Sequence, residues 1–228
     1  MSGLAAAPKG YGLSTVGVAY GSNLVALRVS KDVYLDSSDE KRGVADGLTY
    51  SANRADVKVI SMSIGNIFGS SRISDAIRYA NGKGKLIFVA AGTSSESLSW
   101  WPVVFPANMK ETVAVTGVYD SYPLEKCKQC HNGSKVDFAA VVQARSGART
   151  YTLAYSGNAP KSTGASSAAT ATVAGIAALV WATNPSMSAD QVLERLKKAS
   201  QFRTNRDRNY GWGRIDANAA VKGQTFQR

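Results

Sequence analysis

A serine lies at the predicted start of a helix built from small residues. Residues 165–175 have the sequence Ala-Ser-Ser-Ala-Ala-Thr-Ala-Thr-Val-Ala-Gly, and Ser167 falls in the first turn of that helix. A helix N-terminus offers unpartnered backbone N–H groups and positive dipole, which favour developing negative charge. A serine hydroxyl there suits nucleophilic attack on a carbonyl carbon. A serine that only caps an ordinary Ala-rich helix has the same pattern.

Two apolar segments elsewhere in the chain end in small residues. Residues 59–62 lead into Ser63-Ile64-Gly65, and residues 86–89 lead into Ala90-Ala91-Gly92. Ligands of open α/β sheets bind beyond the carboxyl ends of the strands, and small residues there leave room for a substrate backbone. Each segment alone is weak, because glycine after a strand commonly marks only a turn.

Short apolar runs alternate with amphipathic segments, which predicts an α/β domain with a mostly parallel sheet. The predicted strands are Leu24–Val29, Val57–Ser63, Leu86–Ala91 and Thr112–Val118, with short ones at Val136–Val142 and Thr150–Ala154. The first predicted helix follows a capping box at Ser37–Glu40 and has Val44, Leu48 and Ala52 on one face. The other predicted helices span Ser71–Asn81, which Gly82 caps, Ser167–Thr183 and Ser188–Ala199. We expect residues 1–228 to form one domain.

Composition limits the classes of function. The chain has 228 residues, 44% hydrophobic, and a net charge of +11 that is spread along it without a nucleic-acid motif. We therefore expect a basic solvated surface and no nucleic-acid partner. The longest apolar run, Ala168–Ala182, is interrupted by Thr170, Thr172 and Gly175, which predicts a buried core helix and no membrane span. No signal-peptide pattern begins the chain.

Six segments, in order, resemble the subtilase family of serine proteases. They are Gly17–Leu24, Ser63–Gly65, Ala90–Gly92, Phe105–Ala107 followed by Val113–Gly117, Ser166–Ala171, and Tyr210–Ala217. Together they cover nearly the whole chain and are more specific than any one of them. The resemblance implies a three-layer subtilisin-like α/β fold, with a mostly parallel central sheet flanked by helices, that lacks its N-terminal part.

The same resemblance implies the site. Ser167 becomes the nucleophile of an endopeptidase, Ser63, Ile64 and Gly65 hold the substrate backbone, and Ala90, Ala91 and Gly92 line the specificity pocket. Thr93 occupies the oxyanion-hole position, where the family usually has Asn. The resemblance also implies a polypeptide substrate, a monomer, and an extracellular or cell-envelope location. We expect no cofactor; calcium is common in the family, but the sequence assigns no ligands to it.

The acid–base partners of the serine are the main departure from the family, whose triad runs Asp, His, Ser. The chain has one histidine, His131, and its surroundings do not resemble the family's histidine helix. The start, Met1–Pro8, resembles the end of that helix, which predicts that the triad histidine and aspartate lie before Met1. We expect this fragment to be inactive alone. The alternative is a catalytically dead subtilase-like module that binds peptides or partners.

The segment Cys127-Lys128-Gln129-Cys130-His131 matches the pattern of c-type haem attachment. No second axial ligand is evident for haem, and a zinc site lacks a fourth ligand. A local disulfide or a pair of free thiols is the stronger expectation.

Overall fold

The protein, analysed as a computed structural model, is described over residues 1–9, 16–32, 35, 37–144, 146–153 and 160–226. Its centre is a parallel sheet of four strands in the spatial order β1-β2-β3-β4. The strands are β1 (Val59–Met62), β2 (Leu86–Ala90), β3 (Val113–Asp120) and β4 (Phe138–Ala144). A separate antiparallel hairpin joins β5 (Thr150–Leu153) to β6 (Pro160–Thr163).

Helices cover both faces of the sheet, as the predicted three-layer α/β fold requires. They are α1 (Ser2–Ala6), α2 (Ser38–Asn53), α3 (Ser71–Gly82), α4 (Ala165–Thr183), α5 (Ala189–Lys198) and α6 (Ala217–Lys222). Because successive strand residues point to opposite faces, Phe88 packs in the cluster with α4 and α5, whereas Ile87 and Val89 pack with α2 and α3.

Local signals position the helices. Ser37 caps α2, with the Glu40 N–H donating to its Oγ (3.1 Å) and its own N–H donating to the Glu40 carboxylate (3.2 Å). Val44, Leu48 and Ala52 are buried on the inner face of α2, as predicted. Helix α3 ends one residue later than predicted, and the left-handed glycine beyond it is Gly84, not Gly82.

Helix α4 begins two residues before the predicted start and ends at Thr183 as predicted. Its length and composition would suffice to cross a membrane, but 67% of its most apolar 18-residue stretch is buried inside the protein. It contacts all four parallel strands. The prediction of a buried core helix is therefore confirmed.

The predicted buried strand Leu24–Val29 is wrong. These residues have no strand assignment, and Leu24 and Leu27 are 54% and 41% exposed. Buried backbone N–H and C=O groups need hydrogen-bond partners, and no described residue bonds to the backbone of this segment. The hairpin strand β6 and the short helices α1 and α6 were not predicted, because each is too brief to show a clear periodicity. The predicted strand Thr150–Ala154 is confirmed to Leu153; Ala154 lies outside the described residues.

Candidate functional site

The start of α4 meets the ends of two parallel strands. Ser63, which follows β1, donates its hydroxyl to the carbonyl oxygen of Ser167 across 3.3 Å. Thr93, three residues after β2, has its Oγ1 2.7 Å from the Oγ of Ser166. The chain thus joins three of the sequence-predicted positions, Ser63, Thr93 and Ser167, around one helix end, as expected for the carboxyl edge of a parallel sheet.

Ser166 and Ser167 differ in exposure. The Ser166 side chain is fully buried, whereas Ser167 is partly exposed in the first turn of α4. Gly164 precedes the helix without a side-chain cap, and Ala165 has a left-handed φ of 60°. A residue with a Cβ costs about 1–2 kcal/mol in that conformation. The turn that presents the two serines is therefore strained.

Neighbouring groups explain why glycine, and no residue with a side chain, follows each of the two strands. A Cβ at Gly65 would lie 2.9 Å from the Phe105 carbonyl oxygen, and one at Gly92 would lie 2.4 Å from the Nδ1 of His131. Gly92 also has a φ of 130°, which side chains rarely adopt. Ala91 and Gly92 are buried, and their carbonyl oxygens accept hydrogen bonds from the backbone N–H groups of Val104 and His131. The His131 ring thus occupies the space beside Gly92 where a side chain would lie.

His131 supports the strand end and does not contact the serine. Its Nδ1 lies 3.1 Å from the Pro102 carbonyl oxygen, and its Nε2 lies 3.0 Å from the Ser94 Oγ. Burial lowers the pKa of His131 below its ordinary 6.5; the Pro102 carbonyl acts in the opposite direction, and Lys126 adds to the lowering. A neutral, engaged imidazole holds the segment that follows Thr93.

Cys127 and Cys130 form a disulfide, which confirms one of the two expected states and removes the free thiols that haem attachment needs. The preceding Lys126 donates from its Nζ to the Ser99 carbonyl oxygen (2.9 Å), to the Ser99 Oγ (2.7 Å) and to the Cys130 carbonyl oxygen (3.3 Å). The disulfide loop and His131 thus form hydrogen bonds with residues 94–102 from one side. The Cys-x-x-Cys-His spacing was the only sequence signal for this support.

Lowering the pH is expected to weaken the fold through His131. The unfolded chain binds a proton near pH 6.5, whereas the native imidazole stays neutral to a lower pH. The free energy of unfolding therefore falls as the pH drops from about 7.5 to 5.5, by at most ~1.4 kcal/mol per pH unit. Urea unfolding at the two pH values measures this slope.

The matched variant for that measurement is His131→Gln, which cannot titrate. Burial raises the pKa of Asp137, so its contribution has the opposite sign, but the unmodified chain and the variant share it. The difference between the pH slopes of the unmodified chain and the variant gives the contribution of His131 to the free energy of unfolding. Equal slopes for His131→Gln and the unmodified chain would contradict the assignment.

The described residues contain no group of three or more His, Cys, Asp or Glu side chains that could hold a metal ion. The site at the start of α4 is therefore built from hydroxyl groups, backbone groups and a helix end. Such a set can supply a nucleophile and hydrogen-bond donors, and the nitrogens of His131 are engaged elsewhere, by Pro102 and Ser94.

Known structures share this fold. The S41 psychrophilic protease superposes with a TM-score of 0.78 at 26% sequence identity, over 94% of this chain and 75% of that one. MycP1 with its N-terminal propeptide removed has a TM-score of 0.74 at 22% identity, over 97% of this chain and 78% of that one. The fold is therefore that of the subtilisin-like proteases.

Sequence comparison gives the family. The profile of the subtilase family, Peptidase S8, matches residues 1–213. Subtilisin E of Bacillus subtilis (strain 168) is 30% identical over 215 residues, covering 92% of this chain and 52% of subtilisin E. Thermitase of Thermoactinomyces vulgaris is 29% identical over 223 residues, covering 97% of this chain and 73% of thermitase. The chain belongs to the subtilase family, as its motifs predict.

The match does not extend over the full length of these relatives. The chain spans about half the length of subtilisin E, and 54% of a thermostable alkaline protease from Halalkalibacterium halodurans that is 27% identical over 213 residues.

Proposed function

We propose that this chain carries the nucleophile and oxyanion-binding half of a serine endopeptidase site. The Ser167 Oγ attacks the carbonyl carbon of a peptide bond while a base takes the hydroxyl proton. The amine leaves with a proton returned by that base, and water then releases the acyl group from the serine. His131 is engaged by Pro102 and Ser94, so the chain alone does not hydrolyse peptides.

The observation that carries the proposal is the pair of contacts that tie the start of α4 to two strand ends. Ser63 holds the Ser167 carbonyl, and Thr93 holds the Ser166 hydroxyl. These contacts fix the first turn of the helix while the Ser167 side chain stays partly exposed. A nucleophile needs this combination of a fixed backbone and an accessible hydroxyl.

The hydroxyl pair of Thr93 and Ser166 supports an oxyanion-binding role. Two hydroxyls that share one hydrogen bond retain one unshared proton between them. Because Ser166 is buried and Thr93 is partly exposed, donation from Ser166 to Thr93 leaves the Thr93 proton free to point outward. Thr93 and the Ser167 N–H then donate to the oxyanion. Removal of one such donor typically costs about 10²–10³ in turnover.

The proposal also includes a polypeptide substrate and a location outside the cytoplasm. The backbone N–H and C=O of Ile64 have no backbone partner among the described residues, so an extended polypeptide can pair there. The Cys127–Cys130 disulfide favours an oxidising compartment, which suits an extracellular or cell-envelope location.

Labelling with a fluorophosphonate tests the nucleophile. In this reaction the serine Oγ–P bond forms, fluoride leaves, and a base takes the proton. We expect no cleavage of a fluorogenic peptide and no labelling above the rate of free serine in plain buffer. Added imidazole supplies a base, and we expect labelling at Ser167 to rise by about tenfold or more. Peptide mapping by mass spectrometry locates the label.

Two controls make the test decisive. Ser167→Ala must abolish the imidazole-dependent label, and the urea-unfolded chain must lose it. Equal labelling of folded and unfolded chains would favour the alternative, a catalytically dead module that binds peptides. Rapid labelling without imidazole would overturn the requirement for an outside base.

A further inference from the structure

The disulfide loop, residues 127–130, pairs with the segment that carries Thr93. Thr93 and Cys130 lie directly opposite each other as an antiparallel pair. Two backbone hydrogen bonds flank this pair, from the N–H of Ser94 to the carbonyl oxygen of Gln129 (3.1 Å) and from the N–H of His131 to that of Gly92 (3.0 Å). Residues opposite each other in such a pair carry their side chains on the same face and close together.

The backbone of Thr93 depends on this pairing. Its own N–H and C=O groups make no backbone hydrogen bond with any described residue. The bonds of its two neighbours to the disulfide loop therefore fix where its side chain lies. That side chain has its Oγ1 2.7 Å from the Oγ of Ser166, the residue before Ser167. A displacement of the loop would thus reach the turn that carries the proposed nucleophile.

Both cysteines anchor the loop to the centre of β3. The Cys127 N–H donates to the Gly117 carbonyl oxygen (3.0 Å), and a Cβ at Gly117 would lie 2.7 Å from the Cys130 Sγ. The same Cβ would lie 3.3 Å from the carbonyl carbon of Ala165, in the first turn of α4. The fully buried Cys130 is thus held against the sheet beside the start of that helix.

We infer that Cys127 and Cys130 are positioning residues whose disulfide holds Thr93 in place to bind the oxyanion, an inference that rests on the proposed function. The cross-link restricts Cys130, and the paired loop then keeps the Thr93 hydroxyl beside Ser166 and aimed at the charge that develops when Ser167 attacks. Preorganised donors of this kind lose their effect when they are misplaced. Without the cross-link the loop relaxes, and Thr93 moves with it.

The rate of imidazole-assisted fluorophosphonate labelling at Ser167 tests the inference. Cys127→Ala removes the cross-link but keeps the Cys130 side chain against Gly117, and circular dichroism verifies that the variant is folded. We expect labelling about tenfold slower than in the unmodified chain, because the displaced donor no longer reaches the phosphonyl oxygen. Dithiothreitol gives a second route to the same state. It is oxidised to its cyclic disulfide, while the two cysteines become thiols, each gaining one electron and one proton.

A double-variant cycle separates positioning from a general structural role. Thr93→Val removes the hydroxyl, and we expect labelling to fall by about tenfold or more. Adding Cys127→Ala to Thr93→Val should cause no further decrease, because the hydroxyl through which the disulfide acts is already absent. A general structural role would lower the rate by the same factor in both backgrounds. Leu48→Ala is the control for lost stability, since Leu48 packs in the separate cluster of α2 and α3, and the rate should not change.

The methyl signal of Thr93 gives a readout that does not need Ser167 to react. In a carbon-13 methyl spectrum we expect Cys127→Ala to shift the Thr93 signal. The signal of Thr49, which lies on α2, should stay in place. This comparison reports directly whether the loop sets the position of Thr93.

The contrary results are specific. An unchanged labelling rate in Cys127→Ala, rate effects that multiply in the double variant, or an unmoved Thr93 signal would each overturn the inference. An unmodified chain that imidazole never helps to label would contradict the proposed nucleophile instead. The Thr93 methyl signal would then decide the positioning role by itself, so the two failures are distinguishable.

Discussion

Gly92→Ala is expected to lower the free energy of unfolding by about 3 kcal/mol or more. The added methyl group meets the His131 ring at 2.4 Å, and a residue with a Cβ is strained at a φ of 130°. Backbone strain of this kind costs about 1–3 kcal/mol, and overpacking in a buried region costs about as much again. Urea unfolding followed by circular dichroism measures the loss.

Two variants divide that loss between its causes. In Gly92→Ala with His131→Ala the ring is gone, so we expect the clash to be relieved while the φ strain remains. Gly82→Ala is the control, because it lies at the end of α3 with no atom within 4 Å of the added Cβ. It should leave stability unchanged or improve it. Full stability of Gly92→Ala would show that the His131 ring yields freely.

Removing the disulfide is expected to have the next largest effect. A double Cys127→Ala, Cys130→Ala variant frees a closed loop that restricts the unfolded chain, which costs about 2 kcal/mol for so short a loop. The buried Cys130 side chain also packs against Gly117 at the centre of β3, so its truncation adds a cavity cost. Chemical denaturation compares the variant with the oxidised chain.

Reduction provides the control for this second prediction. A reductant should bring the unmodified chain close to the stability of the double variant and leave the variant unaffected. We also expect faster hydrogen exchange at residues 94–102, because Lys126 and His131 hold that segment from the same loop. A double variant as stable as the oxidised chain would contradict the role given to the loop.

The sequence could predict elements whose signals are local. The capping box of α2, with Ser37 and Glu40 three residues apart, depends only on neighbouring atoms, and so does the fully apolar run of β2. Residues 24–29 carry an equally clear strand pattern. Their failure to pair has a cause outside the segment, namely the absence of a partner strand among the described residues.

The site was predictable in part for the same reason. Motif order associates Ser63, Thr93 and Ser167, and the structure brings their elements together. Sequence reasoning missed the hydrogen bond between Thr93 and Ser166 and the support of Gly92 by His131. Both link residues far apart in the chain, at 73 and 39 positions, and neither leaves a local pattern.

The left-handed Ala165 has a consequence for how the start of α4 is kept in place. Its conformation costs about 1–2 kcal/mol, and the hydrogen bonds from Ser63 to Ser167 and between Thr93 and Ser166 lie in the turn that follows. Behind that turn, Ala168, Ala169 and Ala171 are buried in the core. The start of the helix therefore keeps its shape through tertiary contacts and not through the local preference of its residues.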